Sequence, residues 1–219
     1  MTNPTATSRV PVQRAGGLGL GLFALLSASP AFAHHAMDGR TPSTAVEGLL
    51  SGLAHPVIGL DHLAFVVALG LLASATARRF VVPAAFVAAT LAGTALHLLR
   101  VDLAAVEGMA ALSGIAAGAL LALNLRQRPA WLLVLAVFAG VVHGYAYGES
   151  IVGAEATPLA TYLLGFGMVQ FGIALLAGWS GQRMLDATRG ARARRFGRTG
   201  GAIVCAVGAV YLALALFVG

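Results

Sequence analysis

The sequence predicts an all-α fold, a polytopic membrane bundle of six transmembrane helices after a cleaved signal peptide, with the first helix broken near Pro56. Three observations carry that expectation. The 219-residue chain is 58% hydrophobic and 10% charged, whereas a soluble domain is about 45–50% apolar and about 25% charged. Apolar stretches approaching the length of a membrane crossing recur six times. Arg residues gather in alternate connections between those stretches, the bias that sets membrane orientation.

Residues 1–33 have the three parts of a secretory signal. Arg9 and Arg14 supply the charge, residues 16–27 form a short apolar region, and Ala31-Phe32-Ala33 is a small-residue cleavage site. The apolar region is short for a span, which favours a removed signal over an uncleaved first helix. Cleavage leaves one expected domain of six spans, residues 34–219, beginning outside the cytoplasm at His34.

Six spans are expected near residues 44–75, 80–99, 103–123, 130–147, 159–179 and 201–218. The first is too long for one straight crossing and contains Pro56. It reads as an amphipathic or re-entrant segment, 44–54, then a break, then a helix from Gly59. With the mature N-terminus outside, the inner connections hold Arg78 and Arg79, then Arg126 and Arg128, then Arg183, Arg189, Arg192, Arg194, Arg195 and Arg198. The outer segments carry only Arg40 and Arg100 against Asp38, Glu47, Asp102, Glu107, Glu149 and Glu155. This bias predicts that both mature termini lie outside the cytoplasm. The net charge of +6 comes entirely from Arg. Its placement between apolar runs speaks for topology and against nucleic acid, since aromatic–basic interleaving is absent. Small residues crowd every span, as close helix packing in lipid requires. Cys205 is the single cysteine, so neither a disulfide framework nor a thiolate metal site is expected.

Chemistry concentrates at His55-Pro-Val-Ile-Gly-Leu-Asp-His62. Two imidazoles and a carboxylate are costly at membrane depth, and such groups usually serve an ion or substrate path. Residues seven apart on a straight helix are separated by about 10.5 Å along its axis. His55 and His62 can therefore share an ion held near 2.0–2.2 Å only through a break. Pro56 disfavours helix at His55, and Gly59 permits unusual dihedrals. Capping of a helix end at the interface is the plain alternative for all three residues.

A second polar cluster, His143-Gly-Tyr-Ala-Tyr-Gly-Glu149, closes the fourth span. His143 is a third candidate ligand, and Tyr147 lies four residues on, along the same helix face. Tyr147 suits ligand contact or an aromatic belt better than direct coordination, and Glu149 is a candidate mouth carboxylate. His97, near the outer end of the second span, and the mature terminus His34-His35 are secondary candidates for metal contact. Gln170, a lone amide in the fifth span, reads as an inter-helix hydrogen bond. Imidazole with carboxylate suits Ni, Co, Cu or Zn, and the lack of thiolates argues against Cu(I).

At these residues the chain resembles the HupE/UreJ family of nickel/cobalt permeases. The family's first-span motif, His-x5-Asp-His, is matched by His55, Asp61 and His62. Its span-four motif, approximately Phe-His-Gly-x-Ala-His-Gly-x-Glu, is matched at His143, Gly144, Ala146 and Gly148. The chain departs from it at Tyr147, which replaces the second His, and at Glu149, which arrives one position early. The resemblance implies a permease, not an enzyme, that carries Ni2+ or Co2+ from periplasm to cytoplasm by a secondary or facilitated mechanism. The ion is cargo, and no permanent cofactor is expected. No P-loop is visible for ATP coupling. The expected partners are the metal ion and the bilayer, with room for a homo-oligomer and none for nucleic acid. Acid is expected to impair uptake as imidazoles protonate. Two other readings use the same ligands: a metal-binding accessory protein for hydrogenase or urease maturation, and a membrane metalloenzyme, for which only Tyr147 and Glu149 offer an extra acid or base.

Overall fold

A computed structural model describes residues 40–125, 128–187 and 191–217. The expected signal segment and His34-His35 lie outside them. Among the described residues every regular element is helical: α1 (Ala45–Ile58), α2 (Leu60–Ser74), α3 (Val81–Leu98), α4 (Val106–Ala122), α5 (Pro129–Gly148), a 3-10 turn (Glu149–Ile151), α6 (Ala156–Ala187) and α7 (Ala191–Phe217). α3, α5, α6 and α7 are each long and apolar enough to cross a membrane, and α1 and α2 qualify together as one span bent by 79°. α4 is apolar but only 17 residues long. Five of the six expected spans thus have crossing length, and the third is short. Its first turn is lost because Ala105, at φ 55°, sits in the left-handed region and cannot continue a right-handed helix.

The break in the first span falls three residues later than Pro56. α1 begins at an N-cap, Thr44, whose side chain accepts from the Glu47 backbone, while Glu47 accepts from the Ser43 N–H and hydroxyl. It runs through His55 and Pro56 to Ile58, and the chain turns at Gly59. Pro56 costs α1 one backbone hydrogen bond in its last turn, that to the Gly52 carbonyl, and the helix continues past it to Ile58. The other departure lies in the Arg-rich connection. α7 starts at Ala191, ten residues before the expected span, since a run of Ala and Arg without proline favours helix. α6 extends for 32 residues, about 48 Å at 1.5 Å per residue.

α2 is the central strut. Its Phe65, Val66, Ala68 and Leu69 are fully buried, and it touches α6, α4 and α7. Around it the helices pack most closely as three pairs, α3 with α5, α4 with α7 and α1 with α6. Glycine permits the closeness: a side chain at Gly144 would overlap the Thr90 backbone, and one at Gly52 the Tyr162 carbonyl. The outer surface inverts the soluble pattern, with Val134, Phe138, Leu164, Met168, Leu176 and Ile203 exposed. In lipid that apolar surface is solvated rather than stranded. Arg79 hydrogen-bonds Gln182, which brings the α2–α3 connection beside the end of α6 at the Arg-bearing end. Trp131 and Trp179, both exposed, mark the same end as an interfacial belt. At the opposite end Thr41 donates to the Val152 carbonyl and Tyr145 to that of Val101, gathering the less basic connections.

Candidate metal centre

The 79° bend at Gly59 sets Asp61 and His62 in the first turn of α2, against α5. Gly59 has φ −72° and ψ 98°, dihedrals open to any residue. What glycine supplies here is space, because a Cβ would lie 2.7 Å from Cδ2 of His62. The His62 ring, 2% exposed, therefore sits directly over the break.

His62 Nδ1 meets His143 Nδ1 across the α2–α5 interface. Asp61 Oδ2 is 3.9 Å from the same His62 nitrogen. On the far side of His143, Nε2 lies 2.9 Å from the Ser113 hydroxyl, and that hydroxyl donates to the Ala110 carbonyl at 2.7 Å. With its proton committed, Ser113 can only accept from His143. Nε2 therefore carries the ring proton, and the lone pair is on Nδ1, facing His62. Orientation of a ligating imidazole through its other nitrogen is how proteins prepare such a ring for metal. Phe65 packs on the His143 ring at 4.8 Å, and Phe86 meets it edge-on at 6.1 Å.

His55 belongs to a neighbouring compartment. It is buried, and its Nδ1 lies 3.2 Å from the Ser150 hydroxyl, which also reaches Tyr162 at 3.1 Å. Between His55 and His62 stands Tyr147. Its ring meets His55 edge-on at 4.8 Å, His62 tilted at 4.4 Å and Phe166 at 4.6 Å. Its hydroxyl is buried without a hydrogen-bond partner among the described residues. The bundle thus brings Asp61, His62 and His143 together, with His55 on the other side of the Tyr147 ring. Among the described residues no three His, Cys, Asp or Glu side chains are already gathered as a metal cage.

The secondary candidates divide. Tyr147 is at the centre. Glu149 is exposed on the 3-10 turn. His97 packs on the other side of α5, its ring 4.6 Å from that of Tyr145 and its Cβ against Gly148. Ser113, Ser150 and Tyr162 are site neighbours that the sequence did not single out. Ser150 adjoins the polar break after the fourth span, which is the one signal that pointed to it. Ser113 looks like any small residue of a packed span.

Comparison with known proteins agrees with the motif. The family model described as HupE / UreJ protein matches residues 22–211. Protein HupE of Rhizobium leguminosarum bv. viciae is 32% identical over 135 residues, covering 56% of this chain and 70% of that protein. No solved structure matches. A multi-pass, all-helical membrane protein with this motif and this match belongs to the HupE/UreJ family.

Proposed function

We propose that the chain is a permease importing Ni2+ or Co2+ from periplasm to cytoplasm across a bacterial inner membrane. The observation that carries the reading is the His62–His143 pair beside Asp61 in the crook of a broken membrane helix. Two imidazole nitrogens and a carboxylate suit divalent nickel or cobalt, and the single Cys205 lies elsewhere, on α7. Irregular backbone at membrane depth is tolerated where it lines a cavity or path. Transport is secondary or facilitated in this reading.

The ion enters from the end opposite the Arg clusters, where Glu47 and Glu149 attract cations. Here both mature termini are periplasmic. The ion reaches His55 beside Ser150 and Tyr162. Movement of the Tyr147 ring then admits it to His62, His143 and Asp61, where imidazole replaces water. It leaves toward the Arg-bearing end, the cytoplasmic one by the charge rule. His34 and His35, if the signal is removed, offer a loose capture point ahead of the mouth.

Uptake of radioactive nickel or cobalt by cells expressing wild type and His62→Ala tests this. Loss of uptake in the variant is expected, and uptake unchanged by it overturns the mechanism. Metal bound without any uptake identifies a holding or accessory protein instead.

A further inference from the structure

Gln170 on α6 is fully buried, one helical turn beyond Phe166 and so toward the Arg-bearing end from Tyr147. Its amide orientation is fixed by its neighbours. Nε2 donates to the Phe166 carbonyl at 3.3 Å and to the Thr90 hydroxyl at 3.4 Å. The first partner can only accept, so the nitrogen must face it. That leaves Oε1, buried and without a hydrogen-bond partner among the described residues. An inter-helix tie needs the donor half of this amide and gives no use for the oxygen.

The place of that oxygen suggests a use. Thr90 packs against Gly144, the residue after His143, and Phe166 packs on Tyr147, whose ring meets His62, so Gln170 lies one helical turn from the residues that surround the imidazole pair. The same α6 face continues at four-residue intervals through Ala174 and Gly178 to Gln182. The last three, with Ser74 and Arg79, line a cavity at the Arg-bearing end. Among the described residues no carboxylate or imidazole lines that cavity. Between Gln170 and the cavity the α2 and α6 backbones touch at Gly70 and Ala174.

We propose that Gln170 Oε1 is a second cation station, which takes a partly hydrated divalent ion from His62 and His143 and passes it toward the inner cavity. The inference rests on the transport reading above. An amide oxygen binds nickel or cobalt more weakly than imidazole does, so it favours onward release over retention. The final step requires α2 and α6 to part at Gly70 and Ala174.

The test uses the full chain in proteoliposomes with Co2+ as the probe, reading cobalt binding by its visible spectrum and uptake by rate. Gln170→Leu keeps the volume and removes both halves of the amide. Gln170→Glu keeps an acceptor oxygen and gives up the amide donor. The station predicts cobalt binding unchanged in both, uptake by the Leu variant lowered about tenfold, the equivalent of one lost polar interaction, and uptake by the Glu variant largely retained. A structural tie predicts that both variants fail alike, and that result overturns the station. So does wild-type uptake by Gln170→Leu. Wild-type vesicles that take up no cobalt overturn the transport reading and the station together, whereas uptake abolished by His62→Ala but untouched by Gln170→Leu removes the station alone.

Discussion

Gly59 and His62 are fitted to one another: the missing Cβ of the glycine would stand 2.7 Å from the imidazole. The bend between α1 and α2 and the position of the first buried imidazole are thus one feature. Because the Gly59 dihedrals are ordinary, alanine can adopt the turn, and only the ring is disturbed.

Gly59→Ala is therefore expected to leave a folded, membrane-inserted protein whose His62 ring is pushed off His143. Cobalt affinity should fall by about 10–100-fold, the range seen when the support of a metal ligand is removed. Spectroscopic titration checks it, with circular dichroism as the control for helix content. Unchanged affinity would show that the ring relaxes freely.

Ser113 orients His143 without touching the side where the ion would sit. Ser113→Ala frees Nε2 and lets the ring proton move to Nδ1, which then points a hydrogen where a lone pair is needed. The expected result is a similar loss of about 10–100-fold in metal affinity, with rescue by Ser113→Thr. Equal affinity in the Ala variant would mean that packing by Phe65 and Phe86 orients the ring alone.

Much of this arrangement was legible in the chain, for identifiable reasons. His55, Asp61 and His62 stood out because charge and imidazole are rare in an apolar run. Helix arithmetic demanded a break between them, and the chain turns at Gly59. The cause differs from the one the sequence suggests, since Pro56 lies within the last turn of α1 and Gly59 acts by size rather than by dihedral freedom. His143 was legible as the partner because it opens the other polar cluster, near the outer end of the fourth span. Ser113 and Tyr162 were not, because a hydroxyl in a membrane span usually bonds its own helix and leaves no periodic trace. The Tyr147 wedge was also hidden: spacing placed it on the face of His143, but only the meeting of α1, α2 and α5 puts its ring between two histidines.

Gly144 carries a prediction about packing rather than chemistry. A methyl group there would overlap the Thr90 backbone, which cannot move away as a side chain tip would. Gly144→Ala is expected to spread α3 from α5 and destabilise the protein by about 1–3 kcal/mol, the usual cost of overpacking. A lowered melting temperature in detergent, relative to wild type, is the measurement. An unchanged melting temperature would mean that the two helices are less closely held than their backbones indicate.

Tyr147 separates two roles that its position confounds, a ring that divides His55 from His62 and a hydroxyl that bonds nothing among the described residues. A buried hydroxyl without a partner costs about 1–3 kcal/mol. Tyr147→Phe should therefore be at least as stable as wild type and, if the ring is what matters, should transport at a similar rate. Tyr147→His puts a third imidazole where the phenol stood, in reach of His55 and His62. It is expected to bind cobalt about tenfold more tightly, as one added ligand of modest strength would give, and to release it more slowly. The paired result to look for is wild-type uptake in the Phe variant with tighter binding and slower uptake in the His variant. Uptake lost in Tyr147→Phe would assign the ion-handling role to the hydroxyl, and the ring would then be only its support.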